Sequence, residues 1–427
     1  MSVSSETGTA PQISTAHMYK LIAAASIGNA LEWFDILIYG YFAVTISRVF
    51  FPTGSETVSL LLALGTFGAG YLVRPLGAIV LGAYADRAGR KASMLASILL
   101  MWIGTFLTAM MPSYAQIGLL APIAVVMARL MQGFAVGGEF GSATAFLVEH
   151  STNRKGLMAS FQWAGQGLAA ILASGFGVAL TTMLTRDQLN SWGWRLPYLF
   201  GLLIGPVGFY IRKHVGETPE FLAAKKTRTP VRDLFSQQWD RLLLAIGAVV
   251  VSTSSNYIIL YMPTYAVKQL GLPQSAGFTA TLLGAIILTT CAPLSGYISD
   301  LIGRSRMLMW ATLAFLFTIY PAFALLLNSK NLALLICLVC WMNLLKSGYS
   351  GVLPAFLSEC FPAQTRASGL ALSYNIGVPI FGGFAPFYIT WMIALTGSKQ
   401  SPSFYMMFCA LLGIGALLAA KSRLRIH

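Results

Sequence analysis

The chain has 427 residues, 56% hydrophobic and only 10% charged, with mean hydropathy +0.70; a soluble chain would carry about 25% charged residues. That shortage of charge, spread over many long apolar runs, excludes an ordinary soluble domain and predicts an all-α membrane protein of many spans. The formal net charge of +14 is not a nucleic-acid footprint, because the basic residues fall in short loops between apolar helices and form no stripe with interleaved aromatics.

The N-terminal stretch MSVSSETGTAPQISTAH is polar and rich in Ser and Thr. It lacks the basic segment, short apolar core and cleavage site of a signal peptide, and residues 1–17 are expected to form a disordered cytoplasmic tail. Twelve spans follow, at 20–47, 57–84, 91–112, 115–149, 156–184, 193–212, 241–268, 274–298, 306–328, 331–358, 366–396 and 402–421, each close to or above the roughly 20 apolar residues that cross a bilayer.

The first span carries Glu32 and Asp35 on one face with Gly28 and Tyr39. A charge at bilayer depth costs about 2.5–3.5 kcal/mol on insertion scales, so two acids there need a partner or a task. Arg74, followed by Pro75, lies on the second span, and Arg129, Gln132 and Glu139 share a face of the fourth. Gln162 and Gln166 coincide on the fifth. The seventh presents Asn256, Tyr257, Tyr261 and Tyr265, the tenth Asn343, Lys346, Ser347 and Ser350, and the eleventh Tyr374 and Asn375. The five cysteines are odd in number and mostly lie in apolar segments, which points to plain thiols and to no metal or redox site.

The longest polar connection, 213–240, divides the spans into two six-helix halves, 18–212 and 241–421, with a short tail at 422–427. The halves repeat. Gly82-Ala-Tyr-Ala-Asp86-Arg-Ala-Gly89-Arg90 recurs with identical spacing as Gly296-Tyr-Ile-Ser-Asp300-Leu-Ile-Gly303-Arg304, and Glu149 with Arg154 is echoed by Glu359 with Arg366. Related halves are the footprint of a transporter that rocks one bundle against the other. With both termini inside, nineteen loop Lys and Arg residues fall on the cytoplasmic side and five opposite, a strong positive-inside bias.

The loop GAYADRAGRK (82–91) resembles the signature between the second and third helices of the major facilitator superfamily. EWFD (32–35), RPLGAIVLGAYADRAGRK (74–91), RLMQGFAVGGE (129–139), WGWRLP (192–197) and ETPEF (217–221) together resemble its metabolite–proton symporter family, over essentially the whole chain after the tail. The resemblance implies two pseudo-symmetric six-helix bundles, a cavity lined by the first, fourth, seventh and tenth helices, monomeric action in a bacterial inner membrane, and proton-driven import. Relatives carry citrate, 2-oxoglutarate and other dicarboxylates, shikimate, aromatic acids, or proline and betaine. It also implies cytoplasmic gating, with Asp86 and Arg90 pairing with the Glu359/Arg366 corner and Asp300 and Arg304 pairing with Glu149 and Arg154. The plainer reading makes these residues topology determinants.

The residues themselves suggest how the spans divide the work. Arg74 reads as half of a structural ion pair with a first-span acid, or as a packing cap. Arg129 reads either as a substrate contact or as a partner of Glu139. Lys346 has no acid on its own helix at membrane depth, so its ammonium needs an acid from across the cavity or an anionic substrate. Gln162, Gln166, Asn256, Tyr257, Tyr261, Asn343, Tyr374 and Asn375 join Arg129 and Lys346 as candidate substrate contacts, although a tyrosine stripe also suits packing. Glu32, Asp35 and Glu139 are the candidate proton-coupling acids; burial and like charge disfavour ionisation, a nearby arginine favours it, and neighbouring acids titrate together.

The reading is a proton-coupled importer of a small organic anion, a di- or tricarboxylate, with protons and the lipid bilayer as its further partners and no cofactor, metal or nucleic acid. Import of a zwitterion such as proline or betaine is the alternative; Lys346 at mid-membrane and the short C-terminus KSRLRIH argue against it. Proton antiport is weakened because GQGLAAILASGFG (165–177) lacks proline. A non-transporting sensor and an enzyme are weaker still, since gate motifs stand in both halves and no nucleophile–base pair or phosphate loop appears.

Overall fold

Within hydrocarbon every backbone N–H and C=O must be satisfied by the chain itself, so apolar runs of this length can cross only as helices. The computed structural model describes residues 33–88, 90–137, 154–214, 234, 236–362 and 365–424. Glu32, Glu139 and Glu149 therefore lie outside the described residues, as do the side chains of Asp86 and Arg90, the 1–17 tail and most of the 213–240 connection.

The helices are α1 (Trp33–Tyr41), α2 (Ala43–Phe50), α3 (Glu56–Leu72), α4 (Arg74–Ala88), α5 (Arg90–Met110), α6 (Leu120–Val136), α7 (Lys155–Met183) and α8 (Arg195–His214). They continue as α9 (Trp239–Lys268), α10 (Gln274–Ile302), α11 (Arg304–Ser329), α12 (Leu332–Ser350), α13 (Leu353–Cys360), α14 (Arg366–Val378), α15 (Ala385–Thr396) and α16 (Ser401–Leu424). Among the described residues, eight helical stretches are long and apolar enough to cross a membrane, with α3–α4, α12–α13 and α14–α15 each counted as one. The α1–α2 pair makes a ninth, and α5, α6 and α8 complete the twelve passes.

Several spans that read as straight in sequence are broken. The first bends by 71° between α1 and α2. The second breaks where Pro75, lacking an N–H, follows Arg74. The eleventh passes through a π-helical turn at Pro379–Gly383, of the kind that often marks functional regions.

Two seams join the halves. The α7 helix runs along α10, and α3 and α4 meet α14, α15 and the π turn. Glycines set the close approaches. A Cβ on Gly156 would fall 2.6 Å from the Gly296 carbonyl and one on Gly296 would meet the Gly156 carbonyl, so the two helices cross backbone to backbone. Within the first half, a Cβ on Gly133 would strike the Gly70 carbonyl and one on Gly70 would meet the Arg129 carbonyl, so α3 and α6 also cross backbone to backbone. Small residues let membrane helices pack on van der Waals contact, since lipid gives no hydrophobic drive between them. Large apolar side chains such as Leu99, Phe106, Trp310, Phe317, Leu411 and Leu418 stand exposed on α5, α11 and α16, as lipid-facing flanks require.

Candidate substrate and proton site

Two polar clusters sit inside the bundle. The first belongs to the N-terminal half. The α1 helix brings Asp35 to the inner face, where Thr105 Oγ1 of α5 donates to Oδ1 at 2.9 Å and Gln132 Nε2 of α6 donates to Oδ2 at 2.8 Å. Arg129 Nη1, one turn from Gln132, pairs with the same Oδ2 at 3.2 Å, and its Nη2 donates to Thr108 at 3.4 Å. The Arg129 guanidinium also lies over the Tyr39 ring, 4.6 Å from the centroid. Asp35 and Arg129 are each 5% exposed. Removing either charge from such a pair strands the other in low dielectric, which typically costs about 3–5 kcal/mol.

Of the two first-span acids expected opposite Arg74, Asp35 is engaged by Arg129 and Glu32 lies outside the described residues; what the described residues give Arg74 is a packing contact. Its guanidinium stacks on Tyr71 at 4.1 Å, and Tyr71 meets Tyr257 of α9 edge to face at 5.4 Å. Its Nε finds no hydrogen-bond partner among the described residues.

The second cluster lies between the halves. Lys346 on α12, 3% exposed, donates from Nζ to Asn256 Oδ1 of α9 at 2.6 Å. Gln166 of α7 donates to that same oxygen at 3.3 Å, and the Lys346 ammonium stands 5.3 Å from the Trp163 ring centroid. Lys346, Asn256, Gln166 and Asn343 share the lining of a narrow cavity with Tyr41 and Thr281. Its interior admits about one water molecule, so a metabolite enters only if the halves separate. Two buried polar atoms here, Gln166 Oε1 and Trp163 Nε1, have no partner among the described residues. Donors and acceptors left open in this way mark a place for a polar guest.

The candidates from the sequence thus fall into groups. Gln166, Asn256, Asn343 and Lys346 come together around the cavity, while Arg129 is held by Asp35. Gln162 and Tyr374 are buried outside its lining. Tyr257 packs against Tyr71 and Phe67, and Tyr261 accepts a hydrogen bond from Thr390 at 2.9 Å. Asn375 Nδ2 donates to the Gly137 carbonyl at 2.8 Å, stitching α14 to the end of α6. Thr105, Thr108 and Thr281 did not stand out in the sequence, because a lone threonine in an apolar span has no pattern to set it apart. Gln132 did share a face with Arg129, which is the signal that finds it.

At the end of the bundle rich in basic residues, Asp300 at the C-terminus of α10 accepts from the backbone N–H groups of Gly156 and Leu157 at 2.9 and 3.1 Å. These are first-turn amides of α7, where unpaired N–H groups and the helix dipole favour a carboxylate. Arg304 pairs with Asp300 at 3.2 Å and forms an ion pair with Glu359. Arg304 of its own half engages Glu359; the side chains of Asp86 and Arg90, its expected partners, lie outside the described residues. Arg366 Nε donates to the Ser358 carbonyl at 2.9 Å, and Arg154 stands over Tyr297 at 5.7 Å. At the opposite end, Glu56 is held by Lys268 at 2.5 Å and by Arg48 at 3.5 Å. Both ends therefore carry contacts that tie the halves together.

Comparison with known proteins places this architecture. A profile of the Major Facilitator Superfamily matches residues 25–386. A citrate-proton symporter of Klebsiella pneumoniae is 38% identical over 398 residues, covering 92% of this chain and 89% of that one. A glycine betaine/proline/ectoine/pipecolic acid transporter of Dickeya dadantii is 33% identical over 417 residues, covering 94% and 83%. In fold, the xylose transporter of E. coli in a partially occluded inward open conformation superposes with a TM-score of 0.74 at 16% identity, covering 96% and 98%. The chain belongs to the Major Facilitator Superfamily, within its metabolite–proton symporter family.

Proposed function

We propose that the chain is a proton-coupled symporter that imports a small organic anion, a di- or tricarboxylate, by alternating access in a bacterial inner membrane. The observation that carries this reading is Lys346, a buried basic side chain in a cavity between the halves whose lining, among the described residues, holds no carboxylate. A carboxylate is the guest that pairs best with the charged form of such a base. Citrate-proton symporters among the relatives support the same substrate class. In this reading Asp35, with Glu32 and Glu139, couples the proton, and proton entry offsets the work of moving an anion against an inside-negative potential, about 2.3 kcal/mol per charge per 100 mV. The basic end is the cytoplasmic end, both termini lie on that side, and the unit is a monomer. The Asp300–α7 contact and the Arg304–Glu359 pair close the cytoplasmic gate.

The proline and betaine relatives keep a zwitterionic substrate as the second reading. Against it, the Trp163 face that would attract a substrate ammonium already faces Lys346. A thermal-unfolding panel in detergent separates the two. A ligand at 100 times its Kd stabilises the folded protein by about 2.7 kcal/mol. Citrate or 2-oxoglutarate should raise the midpoint while proline and betaine leave it unchanged. A rise with betaine or proline alone would overturn the anion reading.

A further inference from the structure

The two buried basic side chains are housed in different ways. Arg129 has a carboxylate at 3.2 Å. Lys346 has an amide oxygen, a second amide and an indole face. The contrast extends to the described residues packed around it. From α9 comes Asn256, from α7 Gln166 and Trp163, from α10 Thr281, and from α1 Leu37 and Tyr41. Tyr41 is the one other titratable group in the cavity lining among the described residues. The α11 helix, on another side of α12, contains no carboxylate. From residue 241 to the C-terminus the only acidic side chains are Asp300 and Glu359, and both are spent at the basic end on α7 amides and Arg304.

A lone ammonium in such a place is costly, whereas a neutral amine that donates to Asn256 is not. An anion entering the cavity reverses this balance, because its carboxylate supplies the missing charge. We infer that Lys346 is itself a proton-coupling residue: it is neutral in the closed, empty cavity and takes up a proton as the substrate anion binds, so that anion and proton enter as an ion pair. This rests on the anion reading and is distinct from any proton held around Asp35. The step balances simply. The amine lone pair of Lys346 takes a proton from water on the entry side, the resulting N–H donates to the substrate carboxylate, and when the anion leaves toward the cytoplasm the uncompensated ammonium returns the proton to water there. The ion pair also explains why a transporter would place its cavity cation on lysine: arginine stays charged and could not release a proton.

Calorimetry of citrate binding to the full chain in detergent, in buffers of different ionisation enthalpy, counts the protons taken up. Above about pH 8 citrate carries no proton of its own and an acid would already be ionised. The wild type should take up about one proton per citrate there, with affinity falling about tenfold per pH unit. Lys346→Arg, with a permanent cation, should bind citrate with no uptake and a flat pH profile. Asn256→Asp, which sets a fixed carboxylate beside the ammonium, should lose the uptake and bind citrate more weakly; it carries the test if Lys346→Arg does not fold. Zero uptake by the wild type, uptake that survives in either variant, or loss of citrate binding by a folded Lys346→Arg protein would each overturn the inference. A wild type that binds no carboxylate at all would overturn the anion reading and this inference with it.

Discussion

Asp35 on the first span and Arg129 on the fourth meet at 3.2 Å inside the N-terminal half, with Gln132 and Thr105 completing the carboxylate's hydrogen bonds. The pair joins α1 to α6, Thr105 adds α5, and the acid is kept at membrane depth in a defined place. Its energetics differ from those of a surface pair, because each partner alone would be a stranded charge.

That difference is measurable by a double-mutant cycle. Asp35→Asn and Arg129→Gln should each lower stability by about 3–5 kcal/mol. The double variant should recover part of that loss, because no stranded charge remains. Thermal unfolding of the four proteins gives the coupling. If Asp35 couples the proton as proposed, transport should stay lost in the double variant even where stability returns.

The crossing of α7 and α10 makes a steric prediction. Gly156 and Gly296 leave no room for a side chain, because each faces the other's carbonyl. Gly296→Leu should hold the basic end apart, raise hydrogen exchange in the first turn of α7, and reduce uptake more than tenfold. Exchange unchanged at Gly156 and Leu157 would show that the seam tolerates the side chain.

Asp300 predicts a milder effect at the same place. A carboxylate at a helix N-terminus contributes about 0.3–1 kcal/mol when exposed and up to about 2 when partly buried. Asp300→Asn should shift the equilibrium toward the form open at the basic end by up to about thirtyfold. Spin-label distances between the first turn of α7 and the end of α10 would lengthen accordingly. Glu359→Gln should act in the same direction through Arg304.

At the opposite end, Glu56 is 71% exposed although Lys268 lies 2.5 Å away. Exposed pairs contribute about 0–1 kcal/mol and are screened by salt. Glu56→Gln should thus change the opening rate only a few-fold, and the effect should vanish in high salt. An effect that persists at about 1 M salt would mean that the contact is buried during the cycle.

Much of this was legible in the chain. Hydropathy and punctuation placed the twelve passes, because membrane helices must be apolar over a length the bilayer sets. The repeated Asp300/Arg304 motif marks the place where α10 meets the first turn of α7, and Lys346 stands out because no acid shares its helix at membrane depth. What stayed hidden depends on helix rotation and depth. Asp35 and Arg129 are distant in sequence, and nothing on either span says that their faces meet. The same limit applies to Tyr261, whose stripe on α9 fits a binding wall and packing equally, and whose hydroxyl in fact meets Thr390. Breaks in the first, second and eleventh spans were also hidden, since an apolar run reads alike whether straight or bent. The amide contact of Asp300 could not be read because it uses backbone groups of another helix.

The most direct test is uptake in proteoliposomes with a pH-sensitive dye inside and an imposed inward proton gradient. Citrate, 2-oxoglutarate, an aromatic acid, proline and betaine are added in turn. Symport of an anion through the Lys346 cavity predicts faster internal acidification with a di- or tricarboxylate, abolished in Lys346→Gln. Acidification with betaine or proline alone, or carboxylate-driven acidification that survives in Lys346→Gln, would contradict it.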